Sequence, residues 1–581
     1  MRKTAMNRLS LAAALGLSLG SASCAGPSST GERRPRTQTA EVLPDGATDV
    51  ELGDMAGIRS RFVEARLSTA PAKQYSVSHE HDLRPGEERL AAAFTKRGLR
   101  HEPGLSRMAR ELARTAPDRY HMPSSLIEGL MIWGGQVEPP PRIAIVEIAA
   151  DCGEHPDADG CAEAYQALAG EIETLRPEAD VDGWFGVGIH RLDSGLSRFI
   201  VAGTERTVSL DPLPLEVASG ATIKIGGRLL SKRENPRVEV IDPKGEWRPT
   251  AIRGGKTRGA RFTAEVPCGP DGGHRIEVLA DGPHGPEIAA NFSVFCGAQA
   301  PRTITFMVED VEPGVDTAVI ERANFDAVNQ ARTRRGLQPL RWSNAAAEVA
   351  RAHSQDMAHN GFLGHRSPTT GMAGDRFEAA GIKALRLREN VGRGYGPVTI
   401  HEALMNSPGH RINVLADDVT EVGIGAVIGA PESEVAGAPR PIFLTQNFIA
   451  PPEAAPDDPV AEVRRRVDER RQAAKVGRIA WDATLQGIAQ RYAEGVANGT
   501  EDAARDQLNA DFQASAYAAI ETQKVTANDF SAFATLDLWD APKMADGVGV
   551  GIAAITKGPK QGSLVMIVLL ADRTAPAKKG R

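Results

Sequence analysis

Four polar residues carry the chemistry that this sequence could perform: His365, Glu389, His410 and Glu421. His365 stands in F-L-G-H-R-S-P, Glu389 in R-E-N, His410 in N-S-P-G-H-R and Glu421 in T-E-V-G-I-G. Two neutral imidazoles suit zinc or another divalent cation, and two side chains alone leave positions open for water or a substrate group. The carboxylates Glu389 and Glu421 would then hold a histidine tautomer or take a proton from bound water, as general bases. The competing reading is structural. In it, His410 bonds to Glu421 and clamps its loop to a strand, His365 does the same with Glu389, and the network sets geometry without chemistry.

Other candidates are weaker. His353 sits within a helical pattern and reads as packed rather than metal-bound. Ser354 and Ser407 have no G-x-S-x-G elbow, which argues against a serine hydrolase.

The elements that must position the four residues lie between 312 and 450. A helix is expected from about 315 to 335, ending at Gly336, and a second from Asn344 to about Asn360. The stretch from Pro397 to Met405 reads as a third helix, and 421–428 and 442–449 read as strands. Strand alternation puts Glu421, Gly423 and Gly425 on one face and Val422, Ile424 and Ala426 on the other. The expected class is α/β: an α/β/α sandwich around a central antiparallel sheet.

The chain has 581 residues, room for about four domains. Met1 to Asn7 is basic, Leu9 to Leu19 is apolar, and S-A-S-C ends at Cys24. This reads as a signal peptide over 1–24 with a lipoprotein-type cysteine, too short in its apolar core to remain as a membrane-spanning helix. Lipidated Cys24 would tether the protein to a membrane, through a flexible segment assigned to 25–74. The expected location is the cell envelope, as an outer-membrane lipoprotein, or the exterior if Cys24 is not modified.

Residues 206–300 break into short alternating runs separated by Gly, Pro and Asn, the pattern of an Ig-like β-sandwich. Besides Cys24 there are Cys152, Cys161, Cys268 and Cys296. Proximity suggests the pairs 152–161 and 268–296, although sequence alone does not choose among pairings. None has C-x-x-C spacing. A net charge of -7 gives no argument for nucleic-acid binding.

The plan repeats along the chain. I-A-W-D-A-T-L-Q-G-I-A from Ile479 echoes L-R-W-S-N-A-A-A-E-V-A from Leu340 at an offset of 139 residues. A fainter echo starts at Gly98 and reaches an offset of 241 in the helix that follows. Segments 75–205 and 460–575 therefore read as degenerate relatives of 312–450. Trp184 and Gly547 take the place of Glu421, so neither can rebuild the four-residue set.

The phrases in 320–450 resemble the CAP superfamily, also called SCP-like, which includes cysteine-rich secretory proteins, antigen 5 and pathogenesis-related 1 proteins. The resemblance is carried by N-Q-A-R-T-R-R-G-L from Asn329, L-R-W from Leu340, A-H-S-Q-D-M from Ala352 and H-R-S-P from His365. It continues in E-N-V from Glu389, M-N-S-P-G-H-R-I-N-V-L from Met405, T-E-V-G-I-G from Thr420 and T-Q-N-F from Thr445. It implies that His365, Glu389, His410 and Glu421 form the family's cleft tetrad, in which the histidines take a divalent ion, usually zinc. The expected function is a surface-tethered protein binding a lipid, glycan or peptide in that polar cleft. The alternative is a metal-assisted hydrolase of envelope polymer or protein.

Overall fold

The computed structural model describes residues 11–12, 57–77, 82–118, 122–170, 182–230, 233–255, 259–282, 285–431, 440–557 and 560–573. The signal peptide apart from residues 11–12, Cys24 and the tether up to residue 56 lie outside the described residues. The chain divides into two compact units: Met1–Ile382 with Arg386–Ala450, and Lys383–Leu385 with Pro451–Arg581.

The part of the first unit that carries the four residues has nine elements: α1 (Thr317–Arg334), β1 (Arg341–Trp342), α2 (Asn344–Asn360), α3 (Ala373–Ala379), β2 (Arg386–Gly394), α4 (Pro397–Asn406), α5 (Pro408–Val414), β3 (Glu421–Ile428) and β4 (Ile442–Ala450). The sheet order is β1-β3-β4-β2. β1 runs parallel to β3, and the other neighbours are antiparallel. β2 is therefore an edge strand with β4 between it and β3.

Alternation divides β3 as the sequence implies. Val422, Ile424 and Ala426 join Ile320, Ala323, Val328, Ile400 and Leu404 in one core. Gly423 and Gly425 lie under α2. A Cβ on Gly425 would stand 2.0 Å from the Arg351 backbone nitrogen, and one on Gly423 would stand 2.1 Å from that of Ala347. Only glycine lets the helix backbone settle this close to the strand.

Two other sheets share this order. In the first unit, Arg100–His101 pairs in parallel with Asp182–Arg191, which is followed by Ser197–Arg206 and Arg142–Ile148, both antiparallel. The second unit has a parallel Trp481–Val548 bridge, then Gly547–Ala554, Leu564–Asp572 and Ala519–Ala527. Arg341 faces Glu421 where Arg100 faces Trp184.

A helix–strand clamp recurs with the sheet. Glu321 accepts from Arg351 Nε and from the Ala426 amide. Glu87 accepts from Arg110 Nε and the Ile189 amide. In the second unit Gln490 takes the Ile552 amide.

Residues 208–296 form two facing sheets around a single core. The strand Arg261–Pro267 alternates exposed and buried positions throughout, the mark of a sheet with one wet face. Disulfides join Cys268 to Cys296 and Cys152 to Cys161, the pairs that proximity suggests.

The tether reading is corrected at its end. Ile58–Arg66 is a nine-residue strand, antiparallel to Thr303–Val311. Ala65 packs with Ile304, Phe306 and Val308, and Ile58 joins the core under β3. The segment has too little local alternation to announce a strand, and its partner lies far along the chain.

Candidate functional site

The site forms where two loops meet the edge strand β2. Gly361, in the left-handed region at φ 68°, stops α2 and turns the chain toward His365. His353 Nε2 pins this loop to the Gly364 carbonyl at 2.9 Å. Arg376 on α3 pins it again, donating to the carbonyls of His365 at 3.0 Å and Gly371 at 2.6 Å.

Glu389 points inward from β2 and is wholly buried. Its Oε1 lies 2.8 Å from His365 Nδ1, and its Oε2 accepts from Arg376 Nη2 at 2.5 Å. Burial alone would push this carboxyl up. The His365 hydrogen bond and the Arg376 charge outweigh it and hold Glu389 down at about 2.

His410 arrives on α5. Ser407 ends α4, and Pro408 starts the next helix at the first position, where its missing N–H costs nothing. His410 then stands one turn along, with Nδ1 2.7 Å from Ser407 Oγ. Ser407 Oγ also donates to Glu277 Oε2 at 3.3 Å, and Glu277 belongs to the sandwich strand Gly272–Gly282. Glu277 is fully buried. Burial, then the neighbouring Glu239 charge, push its carboxyl well above the ordinary range.

A ladder of buried amides sets the height of α5. Asn324 Oδ1 accepts from Gln446 Nε2 at 2.7 Å, Gln446 Oε1 from Asn390 Nδ2 at 3.0 Å, and Asn390 Oδ1 from Asn413 Nδ2 at 2.9 Å. Asn390 Nδ2 also donates to the His410 carbonyl at 3.1 Å.

The His365 and His410 rings lie with centroids 6.4 Å apart and planes within 18°. Both residues are only 2 % exposed. The imidazoles expected from the sequence to line an open polar cleft are therefore buried.

Glu421 is not part of this group. It makes an ion pair with Arg341 at 2.9 Å on the partly exposed end of β3, and His410 bonds to Ser407 instead. Glu421 faces Ile449, whereas Glu389 faces Asn447. Two strand spacings and a two-residue step put their Cα atoms about 12 Å apart. Arg376 and Glu277 stand in no motif, and Ser407 reads from sequence only as an unsupported nucleophile; nothing near them in sequence signals the roles they take.

The residues fit a cation in a limited sense. His365 Nε2 is buried and has no hydrogen-bond partner among the described residues, while Nδ1 is engaged by Glu389. With a metal–nitrogen bond of about 2.1 Å and about 1.2 Å from nitrogen to ring centre, a shared ion allows ring centres up to about 6.6 Å apart. The observed 6.4 Å falls inside that bound only near its linear limit; a tetrahedral angle puts the centres about 5.4 Å apart, so the rings would draw about 1 Å closer to share zinc. Among the described residues no group of three or more His, Cys, Asp or Glu is placed to hold a metal, so His365 and His410 would bind one without a third such ligand.

The model of the cysteine-rich secretory protein family matches residues 325–448. The chain carries a CAP domain. Two curated relatives from Bacillus subtilis (strain 168) match over 131 residues, 22 % of this chain: the uncharacterized protein YkwD at 32 % identity and the uncharacterized membrane protein YlbC at 36 %. The chain spans 51 % of the length of the first and 34 % of the second. Among solved structures, it is similar to an extracellular protein containing an SCP domain from Bacillus anthracis str. Ames, with 18 % identity and a TM-score of 0.20, covering 58 % of this chain and 95 % of that one. A cysteine-rich secretory protein from Staphylococcus aureus subsp. aureus Mu50 matches at 11 % identity and a TM-score of 0.19, covering 47 % and 87 %. No described helix is long and apolar enough to cross a membrane.

Proposed function

We propose that this protein is an extracytoplasmic CAP-domain protein whose central domain binds a ligand at the His365–His410 pair, and that the ligand is a divalent cation such as zinc. The observation that carries this reading is the buried His365 Nε2, left without a partner while Glu389 orients the ring through Nδ1. An imidazole so fixed presents one lone pair in one direction, the arrangement that supporting carboxylates give to metal-bound histidines. Burial of both imidazoles favours an ion over a lipid, glycan or peptide, which need an open groove.

Neither carboxylate suits the hydrolase reading as its base. Glu389 is held at about 2 with both oxygens engaged, which makes it a poor proton acceptor at neutral pH, and Glu421 is committed to Arg341 at the rim. Export and lipidation at Cys24 are supported by the basic start, the apolar run and S-A-S-C. On that basis Cys24→Ser moves the full-length protein from the detergent phase to the aqueous phase.

The deciding experiment is a calorimetric zinc titration of the full chain. Wild type and Glu421→Gln are expected to bind one equivalent with the same affinity, and His365→Ala/His410→Ala is expected to give no binding heat with its circular dichroism unchanged. Equal binding by the double variant, or none by wild type, refutes the proposal.

A further inference from the structure

The sandwich domain packs into the CAP-domain core through Leu279 and Ile288, and one of its carboxyl groups reaches the site. The Glu277 side chain crosses from strand Gly272–Gly282 to Ser407, 130 residues along the chain, and Ser407 in turn touches His410 Nδ1. All three side chains are at most 2 % exposed, so water does not compete for these bonds. Donors surround the Glu277 carboxyl group. Besides Ser407 Oγ, Asn291 Nδ2 lies 3.5 Å from Oε1, and the Gly409 amide also bonds to the group.

The direction of the chain follows from those donors. The donors are split between the two oxygens, Asn291 on Oε1 and Ser407 on Oε2, and even a carboxyl that burial keeps protonated retains one carbonyl oxygen, which is the acceptor Oε2 offers to Ser407. Ser407 therefore spends its one hydroxyl proton on Glu277 and has only lone pairs left for His410. His410 Nδ1 must then carry the hydrogen, and Nε2 carries the lone pair. Were the serine proton turned toward His410, the tautomer would reverse and Nε2 would be a donor, unable to bind a cation.

We propose that Glu277 of the sandwich domain is a positioning residue for the CAP-domain site: through Ser407 it fixes the tautomer of His410 that leaves Nε2 as the binding atom. This inference deepens the cation reading above and rests on it for its purpose, but the tautomer is readable without any metal. It also assigns the sandwich a role in the site itself, beyond that of a spacer.

The test uses the full chain labelled with nitrogen-15 histidine. Long-range proton–nitrogen spectra at neutral pH separate the two tautomers, and His410 is assigned from its own His410→Ala spectrum. Wild type is expected to show His410 with hydrogen on Nδ1. Glu277→Leu, which removes the acceptor, is expected to lose that signature. Ser407→Ala, which leaves the sandwich core untouched, is expected to lose it as well and guards against a folding artefact in the leucine variant. Glu277→Gln keeps a carbonyl acceptor and is expected to restore the wild-type pattern, a rescue that simple packing would not require. Hydrogen on Nε2 in wild type, or an unchanged His410 pattern in both Glu277→Leu and Ser407→Ala, overturns the proposal. A wild type that shows the Nδ1 hydrogen but takes no zinc would sink the cation reading alone, so the two failures are distinguishable.

Discussion

Arg376→Met isolates the electrostatic core of the site. The guanidinium is almost wholly buried and donates to Glu389, to the His365 carbonyl and to the Gly371 carbonyl. Methionine keeps the bulk and removes the charge, leaving a carboxylate at 0 % exposure with one histidine for company. The drop in Glu389 from its ordinary 4.5 to about 2, owed to the His365 hydrogen bond and the Arg376 charge together, corresponds to about 3 kcal/mol at about 1.4 kcal/mol per pH unit. Removing one partner of a buried ion pair costs about 3–5 kcal/mol by general experience, which agrees.

Because Glu389 sits below its unfolded value, this stabilisation is complete above pH about 4.5 and is lost as pH falls toward about 2. Hydrogen exchange read by mass spectrometry on the β2 peptide reports the loss locally, which matters in a chain of two units. At neutral pH, Arg376→Met should speed exchange in 386–394 on the order of a hundredfold, and adding Glu389→Gln should recover most of it by removing the stranded charge. A penalty below about 1 kcal/mol, or a double variant as weak as the single, would refute the claim that Arg376 and Glu389 form a coupled buried pair.

Further expectations follow from packing and chain topology. Gly425→Ala drives a Cβ against the α2 backbone at Arg351, and chemical denaturation should show a loss of about 3 kcal/mol, near the top of the overpacking range. A substitution that leaves stability unchanged would mean that helix and strand are not in backbone contact. Cys268→Ser/Cys296→Ser opens a loop whose ends are 28 residues apart and should cost about 3.5 kcal/mol, seen as a lower unfolding midpoint under non-reducing conditions. An unchanged midpoint would mean that the crosslink does not brace the sandwich.

Local pattern reaches far into this protein, and its limit can be located. Helical periodicity placed α2 at 344–360, and alternation placed β3 at 421–428 with its glycines on one face, because both are decided by neighbours within a few residues. The His365–Glu389 contact was legible as one of two readings, since a loop and the next strand lie close in sequence. The Glu421–His410 contact was not there to be read. Whether two residues on a sheet face share a site depends on strand order, and β4 intervenes between β3 and β2. The parallel pairing of β1 with β3 brought Arg341 to Glu421 instead.

The sequence alone determined the CAP-type α/β domain, the alternating strands of the sandwich, and the two histidines, because short-range spacing and a dense set of motifs carry that information. Tertiary structure alone decided that Glu421 stands at the rim, that Arg376 holds Glu389 ionised in the interior, and that a glutamate from another domain reaches His410 through a serine. Those contacts join residues separated along the chain whose meeting depends on how whole sheets and helices pack, and no local pattern encodes such a meeting.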